Sequence, residues 1–194
     1  GPARRRVWIS VLAVLLAFTF LGMRGIWDPD EGRYTNVALN MLDSGDWLEP
    51  HRHHETGHWT KPPLTYWAIA ASVAAFGRDP WAARLPAALA YLLSAWLAWR
   101  IARRLTPGAE DMAALAYATM LLPFGAPGLI TTDFLLAASE TMAVWAFVEA
   151  RWPDGGTLVL VGPGLLDKWE TSPVPRHLLV RLLEWTTVRQ EKER

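Results

Sequence analysis

An uncharged run near the N-terminus constrains the fold of this chain most strongly. Val7 to Met23 contains seventeen residues without a charge, and Arg4, Arg5 and Arg6 directly precede it. A helix needs about twenty mainly apolar residues to cross a bilayer, and this run nearly reaches that length without its flanks. A signal peptide begins in the same way, but no small-residue cleavage site follows here. We therefore predict a retained first span over residues 7–26, with the N-terminus in the cytoplasm.

The composition agrees with a membrane protein and excludes several other classes. Hydrophobic residues make up 52% of the chain, and the mean hydropathy is positive. The formal net charge is zero, so we expect no nucleic-acid partner. The absence of cysteine excludes a disulfide framework and a thiolate metal site. The twelve tryptophans are typical of membrane interfaces, where an indole contacts lipid and water together.

The arginine distribution selects one topology for the next two apolar runs. Leu64 to Phe76 has thirteen residues, which is short for a span and typical of a re-entrant or interfacial helix. If this run stays on the outer side, the following helix from Ala82 runs inward. Arg100, Arg103 and Arg104 at its end then lie in the cytoplasm, as positively charged loop residues usually do.

Two further apolar runs complete a bundle. Met112 to Thr132 returns outward, with prolines and glycines weakening its outer end, and Phe134 to Val148 runs inward. Glu140 within the last run is costly in lipid and needs an interhelical partner. We predict an all-α multi-pass membrane module over residues 1–150, with an outer loop at 27–81 and about four transmembrane helices, at about 7–26, 82–104, 112–131 and 134–150.

The outer loop and the tail carry amphipathic helices in this prediction. An apolar stripe in the loop follows the spacing of one helical face, and Gly45 is the expected stop. The stripe comprises Tyr34, Val37, Ala38, Met41 and Leu42. The histidine-rich stretch 51–58 is predicted to be a loop. Residues 151–194 are predicted to form a cytoplasmic tail with an amphipathic helix from His177 to Trp185.

This topology brings charged residues together at the outer face. Asp30, Lys61, Arg84 and Asp133 all fall at the outer ends of predicted spans or in the outer loop. Each has a structural alternative, since acids cap helices and long cations anchor at the interface. Spacing alone does not distinguish a binding or catalytic site from a set of structural contacts.

Six short motifs in fixed order carry a family resemblance. They are Asp30-Glu31-Gly32-Arg33-Tyr34, Ser44-Gly45-Asp46-Trp47, Lys61-Pro62-Pro63-Leu64-x-Tyr66-Trp67, Phe76-Gly77, Ala83-Arg84-Leu85-Pro86 and Thr132-Asp133. In this order the chain resembles the N-terminal part of the polyprenyl-phosphate-sugar glycosyltransferases with the GT-C membrane fold. Within that group it resembles the bacterial aminoarabinose transferases of lipid A and the protein O-mannosyltransferases. The motifs cover about residues 5–150, and the tail is expected to lie outside the resemblance.

The resemblance implies roles for individual residues. Asp30 corresponds to the catalytic carboxylate of the family, with Glu31 and Asp133 as further candidate catalytic acids. Lys61 corresponds to the lysine that binds the lipid phosphate, and Arg84 is a second candidate phosphate ligand. Because a phosphate leaves readily without protonation, one base and one cation form a sufficient minimal set.

The chain departs from the family pattern before the lysine. Family members usually have an acidic residue there, often a metal ligand, whereas this chain has Thr60. We therefore expect no cofactor and no tightly bound metal. The other interpretation is a divalent ion held by Asp30 with Glu55 or a histidine of the 51–58 stretch.

These features predict a membrane glycosyltransferase, or its N-terminal part, in the bacterial cytoplasmic membrane. It would move a sugar from a polyprenyl-phosphate donor to an acceptor hydroxyl at the outer face. The expected partners are that donor, membrane lipids and another membrane protein. The alternative is a non-catalytic membrane subunit derived from a shortened transferase. Whether the chain is active alone stays open, because family members have many more spans.

Overall fold

A computed structural model describes residues 1–27, 29–53, 56–58 and 61–151. The predicted tail helix at 177–185 lies outside these residues. The described part is mainly helical, with one short antiparallel strand pair. Its elements are α1 (Pro2–Phe18), α2 (Asp30–Ser44), β1 (His51–His53), β2 (Thr56–Gly57), α3 (Leu64–Phe76), α4 (Pro80–Leu105), α5 (Glu110–Thr119), α6 (Leu121–Gly125), a 3₁₀ turn (Ala126–Gly128) and α7 (Asp133–Arg151).

Helix α4 is the element around which the others pack. Helices α1, α3, α5 and α7 all contact it. It has 26 residues, which corresponds to a length of about 39 Å. Among the described helices it alone is both long and apolar enough to cross a membrane. Arg103 and Arg104 lie in its last turn, where cations complement the helix dipole.

Helices α2 and α3 form the first core beside α4. Tyr34, Val37 and Met41 of α2 are buried against Tyr66 and Ile69 of α3. The amphipathic stripe predicted in the outer loop is therefore confirmed. Helix α2 ends where the backbone of Gly45 turns left-handed, with φ of 74°. A residue with a side chain is strained in that conformation, so Gly45 gives the predicted stop.

Small residues let α1, α4 and α5 approach closely in a second core. Ala17, Ala88 and Ala118 are all buried there. Tyr91 of α4 donates a hydrogen bond from its hydroxyl to the main-chain oxygen of Ala118, at 2.8 Å. Close approach of backbones at small residues is typical of helices packed in membranes.

The segment 112–131 is predicted to be one span with a weakened outer end, and the structure divides it into α5, α6 and the 3₁₀ turn. A proline ring clashes with the carbonyl group four residues earlier, and the residue four before Pro123 is Thr119, where α5 ends. The stretch 51–58, predicted as a loop, contains the strand pair instead, with His51 opposite Gly57 and His53 opposite Thr56.

Glu140 lies exposed on α7. Its carboxylate makes no ion pair or hydrogen bond with any residue that the structure describes. The interhelical contact expected for Glu140 is therefore not made inside the described bundle.

The close packing of the second core yields a stability prediction. Ala88→Leu should lower the free energy of unfolding by about 1–3 kcal/mol, because the added atoms separate α4 from α1 and α5. The measurement is thermal unfolding in mild detergent, followed by near-UV circular dichroism. Ala75→Leu adds the same atoms at an exposed position of α3 and is the control. Equal unfolding temperatures for the two variants would contradict this packing.

Candidate functional site

A buried carboxylate organises the end of the bundle at which α2 begins. Glu31 is 4% exposed. Its oxygens accept hydrogen bonds from Nη1 of Arg24 at 2.6 Å and from Nη2 of Arg84 at 3.1 Å. They also accept from the main-chain N–H groups of Trp27 and Ile130, both at 2.9 Å. We call Glu31, Arg24 and Arg84, with the main-chain groups they contact, the Glu31 network.

Arg84 is fully buried in this network and uses all its hydrogen-bond donors. Two of its donor groups contact Glu31. The others donate to the main-chain oxygens of Leu21, Arg24 and Gly25, at 2.7–2.9 Å. A guanidinium has five N–H donors, and each is occupied here. This placement disagrees with the role predicted for Arg84 as a phosphate ligand, because no donor remains for a lipid headgroup.

Arg24 connects the same network to the segment before α7. It donates to the main-chain oxygen of Gly128 at 2.6 Å, and its guanidinium lies over the Trp27 ring, 3.9 Å from the centroid. Glu31 contacts Ile130 in that segment. The network therefore joins the chain after α1, the start of α2, the start of α4 and the segment before α7.

The surroundings of Glu31 strongly favour its ionised form. Burial alone would raise its pKa, but the hydrogen bonds from Arg24, Arg84 and the two main-chain N–H groups outweigh burial and lower the pKa to about 2. Glu31 is thus a buried anion whose lone pairs are occupied. This disagrees with its predicted role as a catalytic carboxylate, since such a group must reach substrate.

The adjacent carboxylate, Asp30, has the opposite environment. Its side chain is 60% exposed, and Oδ1 lies 3.5 Å from Nη1 of Arg33. Asp133 is exposed at the first residue of α7. Since Glu31 follows Asp30 and Ile130 closely precedes Asp133, the bond from Ile130 to Glu31 brings both acids to the same end of the bundle.

Lys61 lies at that end as well. It is exposed and precedes α3 by three residues. The first turns of α2 and α3 adjoin each other, since the rings of Tyr34 and Tyr66 are 6.1 Å apart. Asp30, Lys61 and Asp133 therefore lie at one end of the bundle, where Glu31 and Arg84 are buried.

A set of buried polar groups beside Asp30 was missed by the sequence analysis. The hydroxyl of Tyr66 and Nε of Arg33 are buried without a hydrogen-bond partner among the described residues. Burial raises the pKa of Tyr66 to about 12. The ring of His58 lies 5.8 Å from Tyr66, and burial together with Arg33 lowers the pKa of His58. The signal was present in the sequence, because Arg33 and Tyr66 are polar members of the two motifs that carry Asp30 and Lys61.

The described residues contain no cluster of three or more histidines and acids that would hold a metal ion. His54, Glu55 and Thr60 lie outside them. The expectation of no tightly bound metal, and its alternative, therefore stay predictions.

Comparison with solved structures identifies the fold class. The chain matches two crystal structures of ArnT from Cupriavidus metallidurans, one in the apo state and one bound to undecaprenyl phosphate. Both matches have a TM-score of 0.71 and 30% identity and cover 76% of this chain. They cover 28% and 27% of the ArnT chains. Fold and motifs together define a GT-C membrane glycosyltransferase module.

Sequence comparison identifies the family. The chain belongs to the dolichyl-phosphate-mannose-protein mannosyltransferase family, whose sequence profile matches residues 60–191. The undecaprenyl phosphate-alpha-4-amino-4-deoxy-L-arabinose arabinosyl transferase 1 of Pseudomonas fluorescens is 34% identical over 175 residues, which is 82% of this chain. The corresponding transferase of Edwardsiella ictaluri is 34% identical over 171 residues. The chain spans 31% of the length of each of these relatives.

These matches confirm the resemblance predicted from the six motifs. They also correct its extent, because the family profile continues to residue 191 and so includes most of the tail. The short motifs end near residue 133, whereas a profile compares every position. The motifs therefore underestimated how much of the chain the family covers.

The Glu31 network predicts a pH-dependent stability. An ordinary glutamate has a pKa of 4.5, whereas that of Glu31 is about 2. A lowered pKa stabilises the fold above pH 4.5, and this contribution, about 3 kcal/mol, is lost as the pH falls from 4.5 to 2. Glu31→Gln should therefore unfold at a lower temperature than the parent chain at pH 7, and the difference should shrink over that range.

Thermal unfolding at a series of pH values measures this difference. Asp43→Asn is the matched control, because Asp43 is an exposed acid of α2 that pairs with Arg78 at the surface. It should change stability by less than about 1 kcal/mol at pH 7. A difference between the parent and Glu31→Gln that is constant from pH 7 to pH 2 would disprove the buried anion.

Proposed function

We propose that this chain forms the donor-side part of a membrane glycosyltransferase that transfers a sugar from a polyprenyl phosphate to an acceptor hydroxyl. The observation that carries the proposal is the pairing of an exposed Asp30 with a buried Glu31 on a face that also holds Lys61. The names of its relatives support the donor class, since those proteins are undecaprenyl phosphate-aminoarabinose transferases. An ArnT with the same fold binds undecaprenyl phosphate.

Asp30 is the proposed base. The acceptor hydroxyl loses its proton to a carboxylate oxygen of Asp30, and the hydroxyl oxygen forms a bond to the anomeric carbon of the sugar. The bond from that carbon to the phosphate oxygen breaks, and its electron pair leaves with the phosphate. Arg33, 3.5 Å from Asp30, orients the carboxylate. A positioned base contributes roughly 10²–10⁴-fold to such a reaction.

Lys61 is the proposed partner of the departing phosphate. Its ammonium opposes the negative charge that grows on the leaving group, which lowers the energy of the transition state. Asp133 is proposed to support the same face from the start of α7. Glu31 and Arg84 are proposed to act through their neighbours, by fixing the chain on either side of Asp30.

An apolar groove is proposed to hold part of the isoprenoid chain of the donor. It has a volume of about 480 Å³ and lies between α3, α4 and α7. Phe76, Leu89, Leu135 and Met142 line it, and a smaller cavity beside Thr131 lies between the same helices nearer the charged face. Such a lining suits a hydrocarbon, because contact with apolar side chains removes its surface from water.

Four spans and a cytoplasmic N-terminus in the bacterial inner membrane are also part of this proposal. The charge distribution supports it, because arginines concentrate at the end where α1 begins and α4 finishes. That end is opposite to the face with Asp30 and Lys61.

Labelling of single cysteines tests this topology. The chain has no cysteine, so a residue introduced at Ser44 or Thr132 is the only reactive thiol. Both should react with an impermeant maleimide added to intact spheroplasts. Cysteines at Thr106 and Thr157 should react only after the membrane is permeabilised. External labelling at position 106 would overturn the orientation.

A catalytic test separates the base from the cation. In proteoliposomes with a polyprenyl-phosphate aminosugar donor, Asp30→Asn should lower kcat at least 10²-fold with little change in donor binding. Lys61→Ala should weaken donor binding and lower kcat as well. Asp43→Asn, a surface acid on the same helix, is the control and should retain full activity. Unchanged turnover in Asp30→Asn would refute the assigned base.

The alternative function is a membrane subunit without catalysis. The exposed Glu140 favours it, because a carboxylate on a spanning helix requires a partner. A second membrane protein would supply that partner. Native mass measurement after mild solubilisation tests this: a stoichiometric complex without transfer activity supports the subunit, and an active monomer supports the enzyme.

A further inference from the structure

The end of the bundle opposite Asp30 contains a second groove with a distinct composition. It lies between α1, α4 and α5 and has a volume of about 420 Å³. Ile9, Val14, Leu92 and Ala95 give it an apolar wall. The volume falls within the range of about 300–1,000 Å³ that small-molecule sites occupy.

Aromatic and charged residues form one end of this groove. Trp96 and Trp99 line it together with Arg6 and Asp111. The indole N–H of Trp99 donates to Asp111 at 3.1 Å, which fixes the ring. Asp111 is fully buried and also accepts from Arg6, at 3.1 Å. Hydrogen bonds and an ion pair therefore fix the positions of the side chains at this end of the groove.

Guanidinium groups surround the two indoles. Arg6 and Arg103 each lie over the Trp99 ring, 5.5 and 5.3 Å from its centroid. Arg100 lies 5.3 Å from the centroid of Trp96. Such contacts hold a cation at the boundary between apolar and polar surroundings.

These arginines differ in their acidic partners. Arg6 pairs with Glu110 and Asp111, and Arg100 pairs with Glu149. Arg103 is exposed and has no acidic partner among the described residues. Its contact with Trp99 keeps its charge beside the groove, where it is available to an anion.

Positive charges outnumber negative charges around this groove. Among the described residues, segments 4–6 and 100–104 place six arginines at this end of the bundle, and the acids there are Glu110, Asp111 and Glu149. An apolar groove that ends at tryptophans and at a guanidinium with no acidic partner among the described residues matches a molecule with a hydrocarbon chain and an anionic head. Basic residues at a membrane surface attract anionic lipids in the same way.

We propose that this groove binds an anionic phospholipid, with one acyl chain along α1 and α4 and the headgroup phosphate against Arg103. The site is separate from the face that holds Asp30 and Lys61, and it does not depend on sugar transfer. It would anchor the meeting point of α1, α4 and α5 to the membrane surface.

The experiment is a lipid titration of the full chain in mild detergent. Phosphatidylglycerol and phosphatidylcholine with identical acyl chains are added separately, and thermal unfolding is followed by tryptophan fluorescence. A ligand that binds the folded state raises the unfolding temperature in proportion to its occupancy. Phosphatidylglycerol should give a saturable rise that is larger than the rise with phosphatidylcholine.

Two charge variants test the position of the headgroup. Arg103→Gln should weaken the apparent affinity for phosphatidylglycerol about fivefold, close to the effect of one basic residue near a membrane. Arg104→Gln removes the same charge from the neighbouring position, but Arg104 pairs with Glu149 and does not contact the groove tryptophans. It should change the affinity less than about twofold.

A third variant tests the position of the acyl chain. Ala95 is buried in the groove wall. Ala95→Phe should therefore remove the saturable response while near-UV circular dichroism shows a folded chain. If Ala95→Phe fails to fold, the comparison of Arg103→Gln with Arg104→Gln still tests the proposed site.

Three results would overturn the proposal. The first is an equal response to the two lipids. The second is an equal loss of affinity in Arg103→Gln and Arg104→Gln, which would indicate attraction by overall charge. The third is a folded Ala95→Phe with an unchanged response, which would show that lipid binds elsewhere.

Discussion

The burial of Arg84 is the constraint on which the rest of this structure depends. A guanidinium removed from water is very costly unless every donor is bonded. Arg84 satisfies its donors through Glu31 and three main-chain oxygens of the segment that follows α1. Those bonds fix where the chain leaves α1 and where α2 begins. The path of the outer segments therefore follows from the requirements of one buried cation.

The two ends of the bundle use the same residue types in different ways. At the Asp30 end, Arg84 and Glu31 are buried, and the neighbouring acid Asp30 is left exposed. At the other end, Arg5, Arg6 and the buried Asp111 hold α1 against α5. There the surplus arginines stay at the surface. One end thus presents an exposed carboxylate, and the other presents an excess of exposed positive charge.

The sequence predicted much of the architecture because apolar spacing determines helices. Apolar spacing predicted the bounds of α3 and the buried stripe of α2. It did not separate the roles of Asp30 and Glu31, since the α2 stripe extended back by one turn includes both. The choice depends on Arg84, which lies 53 positions further along the chain, and local spacing carries no information on such a partner. The division of 112–131 was signalled by its prolines, since Pro123 lies four residues after Thr119, where α5 ends.

The Glu31 network has an electrostatic consequence that extends beyond its hydrogen bonds. It holds two guanidinium groups and one carboxylate, so it carries one net positive charge, which is shared between the buried Arg84 and Arg24, whose side chain is 24% exposed. Buried charges are screened by salt much less than exposed ones. The face with Asp30 therefore lies over a positive potential that salt screens only in part, and such a potential favours an anionic group at that face. Attraction from this source should fall less with rising ionic strength than attraction by fully exposed charges does.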